Sequence, residues 1–320
     1  MKRRVLILGG AGFVGSNLAR FLKTRGHDVT ILDGFLSRTG ASRSHVRGWP
    51  DDIAIIESAI DRVENLASIL DDHGLIIDCM AWTQHRMALR DPVFDCVCNL
   101  ESHLHLLTQI REACPARLIY LGSRGQYGNP STATITESTA MVPEDVQGIH
   151  KAAADHHFRV FAKLKRLNVL SLRFANCYGP NQPRAGEDIG LIGGFIRDAL
   201  AGKTIVVYGD ERRRSVLYVE DLCQVVDRIA RAEFTGFSAF NLAGHDLSIR
   251  ALAERVVEIA GRGSVRYEET PDEIKAIDMG QAVFSDAALR ALIGEFPRTD
   301  LRVALGQTID YFRGQDDLAV

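Results

Sequence analysis

Three glycines spaced Gly9-x-x-Gly12-x-x-Gly15, and an acid at Asp33, carry the first recognisable chemistry of this chain. Glycines so placed permit a tight turn, close approach of backbone to a pyrophosphate, and close helix–strand contact. A helix beginning at such a turn offers N–H groups and the positive end of its dipole to phosphate. Asp33 follows Gly15 by eighteen positions, near the roughly twenty at which a carboxylate accepts hydrogen bonds from ribose hydroxyls. That carboxylate would repel a 2′-phosphate, so NAD is favoured over NADP; Arg38 lies close enough to weaken the preference. Gly9, Gly12, Phe13, Val14, Gly15, Asp33, Ser58 and Ala81 are the candidate cofactor contacts.

The elements needed to hold these residues are present. Val5-Leu6-Ile7-Leu8 reads as a strand buried on both faces, Asn17 to Leu22 as a helix, and Asp28 to Leu32 as a second strand ending on Asp33. Further buried strands are expected at Ile53–Ile56, Leu75–Met80, Arg117–Leu121 and Val169–Leu172, with a helix from about Val93 to Ala113. Strands alternating with helices imply an α/β fold, a Rossmann-type doubly wound parallel sheet. Residues 1–175 form the expected dinucleotide-binding domain, with 218–242 returning to it. A smaller, interleaved substrate domain takes 176–217 and 243–320, with a loop from Asn176 to Arg184.

In such sheets ligands bind beyond the carboxyl ends of the strands. Those ends carry Ala81 to Arg86 after the fourth strand and Gly122 to Gly128 after the fifth. The glycine spacing and these segments resemble the extended branch of the short-chain dehydrogenase/reductase superfamily, the NAD-dependent nucleotide-sugar epimerases and dehydratases. The resemblance runs over nearly the whole chain. By it, Ser123 matches the catalytic serine or threonine, and Asn99 an asparagine of the active-site hydrogen-bond framework around the cofactor.

Members of that family use Tyr-x-x-x-Lys on a helix, where residues four apart share a face and the lysine binds nicotinamide ribose while lowering the tyrosine pKa. Here Lys151 matches, but Gln147 stands at the tyrosine position. An amide has no titratable proton and cannot be the general base near neutral pH. Two readings follow. Another group accepts the substrate proton, the candidates being His85, Tyr127 and His150 in that order; or the protein binds nucleotide without turnover.

The resemblance also narrows the reaction. Family dehydratases place Asp-Glu after the catalytic threonine and decarboxylases carry a glutamate in the same turn, whereas this chain has Arg124 and Gly125. Epimerisation through a transient keto sugar needs neither. Asn176 and Arg214 match residues that contact the diphosphate of a nucleotide-diphosphate sugar, and Lys275-Ala276-Ile277-Asp278 resembles a late substrate-loop motif. Relatives form homodimers through the lysine-bearing helix and the helix before the fifth strand. Leu104, Leu107, Phe158 and Phe161 could supply that surface or could face the sheet.

The chain has 320 residues, 46% of them hydrophobic, enough for a substantial core. A formal charge of −3 gives no basic bias toward nucleic acid or an anionic membrane. The six cysteines lack metal-type spacing, so no metal is expected and reduced thiols in a cytoplasmic protein are the simplest reading. The apolar run after Met1-Lys2-Arg3-Arg4 breaks at Gly9, too soon for a secretory signal, and no stretch is long enough for a bilayer span.

Overall fold

The first apolar run becomes β1 (Arg4–Leu8), in which Val5 to Leu8 are fully buried. Its side chains alternate between two apolar layers. Val5 and Ile7 join Leu18 and Leu22 of the helix Phe13–Thr24 on one side, while Leu6 and Leu8 join Leu106 and Phe158 on the other. Period-two alternation into two cores is what an unbroken apolar strand requires. The computed structural model describes residues 2–49, 53–183, 189–209, 212–271 and 282–316.

Along the chain follow β2 (Asp28–Asp33), β3 (Ala54–Glu57), β4 (Leu75–Asp78), β5 (Arg117–Ser123), β6 (Thr134–Ile135), β7 (Asn168–Phe174) and β8 (Asn176–Tyr178). Then come β9 (Thr204–Tyr208), β10 (Arg213–Tyr218), β11 (Phe237–Leu242), β12 (His245–Ser248), β13 (Ser264–Glu268) and β14 (Val283–Phe284). Among the described residues, seven strands form one parallel sheet in the order β11-β7-β5-β4-β1-β2-β3. The strand order reverses between β1 and β4, the switch point at which such sheets open a crevice. This is the doubly wound α/β fold expected from the sequence.

Three local expectations need correction. β3 is not buried: it is the sheet edge, and Ala54, Ile55 and Glu57 are exposed. An apolar run signals a strand but does not say whether a neighbour covers it. The helix expected over Val93–Ala113 runs as Pro92–Cys96, a π-type stretch Val97–Glu101, and Ser102–Gln109. Such π stretches often re-aim side chains at functional sites, and Asn99 lies in this one. The segment after Asn176 is not all loop, because β8 pairs in parallel with β10 before the chain turns at Gly179.

The helix Val146–Leu164 carries both Gln147 and Lys151. Asp145 caps it, its side chain accepting from the Gly148 N–H at 2.6 Å. Its far end is held by Lys165, whose ammonium donates to the carbonyls of Leu107, Thr108 and Ile110. The helix Val219–Arg231 buries Leu222, Val226 and Ile229 in the first apolar layer, and β11 follows it into the main sheet. A third core gathers Tyr178, Ile196, Val207, Val216, Leu252 and Leu305 around the three-stranded sheet β12-β10-β8. No helix among the described residues is long and apolar enough to cross a membrane.

Candidate active site

The main sheet ends on a cleft of about 920 Å³, at the upper end of the range of small-molecule sites. Gly9, Gly12, Phe13, Val14, Gly15, Asp33, Ser58 and Ala81 all line it. Gly9 has φ +71°, open to glycine without strain, and a Cβ on Gly15 would stand 2.2 Å from the Gly9 carbonyl oxygen. The helix Phe13–Thr24 begins here with no side-chain cap, so its first N–H groups suit a phosphate rather than a protein partner. Each oxygen of Asp33 accepts one backbone N–H, from Ala11 at 2.9 Å and from Phe35 at 2.8 Å. Burial raises the Asp33 carboxyl above its ordinary value, and the two N–H bonds pull against that. A carboxylate has about four acceptor sites, so capacity remains for two ribose hydroxyls. The turn, the helix start and the acid therefore fit a dinucleotide.

Arg38 does not bear on Asp33. Its guanidinium donates to Asp91 at 2.8 Å and lies 4.3 Å from the Phe94 ring centroid, outside the cleft wall. The expected weakening of the NAD preference thus has no structural basis.

Ser123, Gln147 and Lys151 meet in the same cleft. Ser123 ends β5 and caps the following turn: its Oγ accepts the Gly125 N–H at 3.1 Å, and its N–H donates to Gln126 Oε1 at 2.7 Å. Gln126 in turn donates to Asp155, which also pairs with Arg173. Lys151 is buried, with Nζ donating to the carbonyl of Leu121 at 3.2 Å and of Met80 at 3.5 Å. Burial drives its pKa down to about 8, with Asp78 and Cys79 opposing. Gln147 is tied down, its amide donating to the Trp82 carbonyl at 2.6 Å. Asn99 is fully buried and does not line the cleft. It clamps Trp82 instead, accepting its N–H at 3.1 Å and donating to its carbonyl at 2.9 Å. Its amide also donates to Asp95 at 2.9 Å, so it braces the segment behind the cleft wall.

The three candidate proton acceptors separate cleanly. Tyr127 is fully buried away from the cleft, its hydroxyl donating to Asn241 at 2.8 Å and accepting from Arg173 at 2.7 Å. Burial holds that phenol above its ordinary pKa, with Arg173 opposing, and it cannot act as base from there. His150 pairs with the buried Asp95 at 2.6 Å and likewise stands outside the cleft wall. His85 does line the cleft, and its Nδ1 stands 2.5 Å from Asp145 Oδ2. Asp145 was not among the sequence candidates. Its visible signal was that of a helix cap, and its histidine partner lies sixty residues away.

At the other end, Asn176 lines the cleft but Arg214 does not. Arg214 borders a small adjoining pocket with Arg124, Arg213 and Ser215, which Arg124 and Asn176 connect to the main cleft. Lys275 to Asp278, together with Arg184, fall outside the described residues. Leu107 and Phe158 are buried in the second apolar layer and Leu104 lines the cleft, so none of the three offers a free surface; Phe161 is partly buried there. The large exposed apolar residues of these helices are Val93, Ile149, Val160 and Leu164, with Val97 exposed on the cleft wall.

Comparison with known proteins agrees with this fold. The chain is 28% identical over 317 residues to the low-salt glycan biosynthesis protein Agl12 of Haloferax volcanii, covering 98% of this chain and 99% of that one. It is 27% identical to the UDP-glucose 4-epimerase of Mycolicibacterium smegmatis, with 98% and 99% covered. The structure of Thermus thermophilus UDP-glucose 4-epimerase in complex with NAD superposes with a TM-score of 0.83 at 26% identity, covering 97% of this chain and 99% of that one. Residues 5–243, from β1 to the end of β11, match the model of one family, and the chain belongs to it: the NAD dependent epimerase/dehydratase family.

Proposed function

We propose that this protein epimerises a nucleotide-diphosphate sugar through a transient keto intermediate. The observation that carries the reading is one continuous cleft, with the glycine turn and Asp33 along one part and Ser123, Lys151 and Asn176 along another. In this reading the helix start at Phe13 holds the pyrophosphate of NAD, Asp33 accepts the adenosine ribose hydroxyls, and Lys151 holds the nicotinamide ribose. The chemistry the bound cofactor supplies is reversible hydride exchange with a sugar carbon. Ser123 donates its hydroxyl hydrogen to the reacting oxygen, and the backbone bond it already accepts from Gly125 leaves that hydrogen available. Asn176, with Arg213 and Arg214 in the adjoining pocket, supplies polar and cationic surface for the diphosphate. Residues 176–217 and 243–320 form the sugar-binding portion.

Epimerisation is favoured over water elimination because the turn after Ser123 holds Arg124 and Gly125, with no carboxylate to act as acid or base. The protein acts in the cytoplasm as a homodimer, through the exposed Val93, Ile149, Val160 and Leu164, which lie outside the cleft wall. The test is to add UDP-, dTDP-, GDP- and CDP-hexoses to the NAD-loaded protein and follow nicotinamide absorbance. One class of sugar should reduce the bound cofactor transiently. Thermal stabilisation by several sugars with reduction by none would favour a nucleotide-binding protein without turnover.

A further inference from the structure

We infer that His85, oriented by Asp145, is the proton acceptor of this active site, in place of a residue on the helix Val146–Leu164. The inference rests on the reading of the cleft as a sugar-oxidising site. Oxidation of a sugar hydroxyl to a ketone needs a group that takes the hydroxyl proton. Gln147, Thr83 and His85 share the cleft wall with Ser123 and Lys151, and the bond from Gln147 to the Trp82 carbonyl ties the lysine-bearing helix to the segment that carries Thr83 and His85. An amide and an alcohol cannot be bases near neutral pH, whereas imidazole titrates there. Lys151 is engaged with two backbone carbonyls and is protonated below about pH 8.

The geometry around His85 is that of an oriented base. Asp145 Oδ2 lies 2.5 Å from His85 Nδ1 while Oδ1 accepts the Gly148 N–H at 2.6 Å. The helix start therefore fixes Oδ1, which leaves Oδ2 turned to His85. A carboxylate only accepts, so the hydrogen of neutral His85 resides on Nδ1 and the lone pair on Nε2. Burial raises the Asp145 carboxyl, but the His85 hydrogen bond and charge interaction outweigh it, and the net displacement is downward. Asp145 thus stays ionised and stabilises the imidazolium that forms.

Gln147 completes the arrangement. Its amide holds the Trp82 carbonyl, which Asn99 also holds, three residues before His85. The same helix turn thus fixes both the carboxylate that orients the base and the segment leading into the short helix His85–Arg90 that carries it. The step balances. The sugar O–H bond breaks and an N–H bond forms at His85 Nε2; the C–H electron pair would go as hydride to NAD, the oxidant this site would hold. The sugar would be oxidised by two electrons and the cofactor reduced by two; on return His85 gives the proton back to the same oxygen. His85 is the catalytic residue and Asp145 the positioning residue.

The experiment combines kinetics of the NAD-loaded protein on the nucleotide-hexose panel with ring-nitrogen NMR of the histidines. His85→Ala should lower kcat by on the order of a hundredfold or more, leave KM within a few fold, and recover in part with added imidazole, since the side chain is about half exposed. Asn caps helices about as well as Asp, so Asp145→Asn should keep helix content and KM while lowering kcat by at least about tenfold. NMR should find neutral His85 with hydrogen on Nδ1. An Nε2–H tautomer, or wild-type kcat in His85→Ala, overturns the inference and leaves the proposed function standing. Absence of hydride transfer from every sugar in the wild type overturns both.

Discussion

Lys151 gives the most quantitative prediction, because its burial sets a stability cost that pH can switch off. The residue is 5% exposed and its pKa is lowered from 10.5 to about 8, first by desolvation, with Asp78 opposing. The folded pKa lies below the unfolded one, so between those values the unfolded chain binds more protons and stability rises with pH. Near pH 7 both states carry the charge and the fold bears its full cost. By about pH 9.5 most folded molecules have lost the proton, and linkage returns about 2 kcal/mol. Lys151→Met keeps a stem of similar length and removes the charge, together with the bonds to Leu121 and Met80. Those lost bonds cost about 1 kcal/mol each at either pH. Urea unfolding of cofactor-free wild type and variant at the two pH values isolates the charge, because other titrating groups cancel. The wild type should gain about 2 kcal/mol on the variant as pH rises. A difference unchanged within a few tenths of a kcal/mol would refute the assignment of Lys151 as a charged, desolvated group.

Calorimetry should find NAD bound more tightly than NADP, with the difference narrowed by Asp33→Ala; Gly15→Ala should abolish binding of either, since its Cβ would collide with the Gly9 carbonyl at 2.2 Å. Tighter NADP binding in the wild type would overturn the cofactor reading. Gln147→Tyr removes the amide bond to Trp82 and should lower turnover severalfold despite restoring a phenol, as steady-state rates will show; a gain would mark a degenerate tyrosine site. Ile149→Glu combined with Val160→Glu charges two exposed apolar positions and should make the proposed dimer sediment as a monomer; a wild type that is monomeric at micromolar concentration would reject the dimer itself.

The strand–turn–helix–strand unit from Val5 to Asp33 was legible because each of its parts is local: apolar run, glycine spacing, acid at the end of the second strand. What the sequence left open was non-local. Nothing in Ala54–Glu57 marks it as an edge, and the partner that draws Asn176–Tyr178 into a strand lies some forty residues away in β10. The π-type stretch at Val97–Glu101 keeps a helical apolar pattern, so its re-aiming of Asn99 toward Trp82 was invisible. Tyr127 and His85 looked alike as residues after strand ends. Only the fold turns one into the buried network of Arg173 and Asn241 and the other onto the cleft wall beside Asp145.

The central claim is tested most directly by incubating the NAD-loaded protein with each nucleotide hexose and identifying the sugars by NMR at equilibrium. The account predicts that one nucleotide sugar yields its epimer at a single carbon, with the nucleotide intact and no net reduction of cofactor. Recovery of every sugar unchanged, from protein verified to hold NAD, would contradict it.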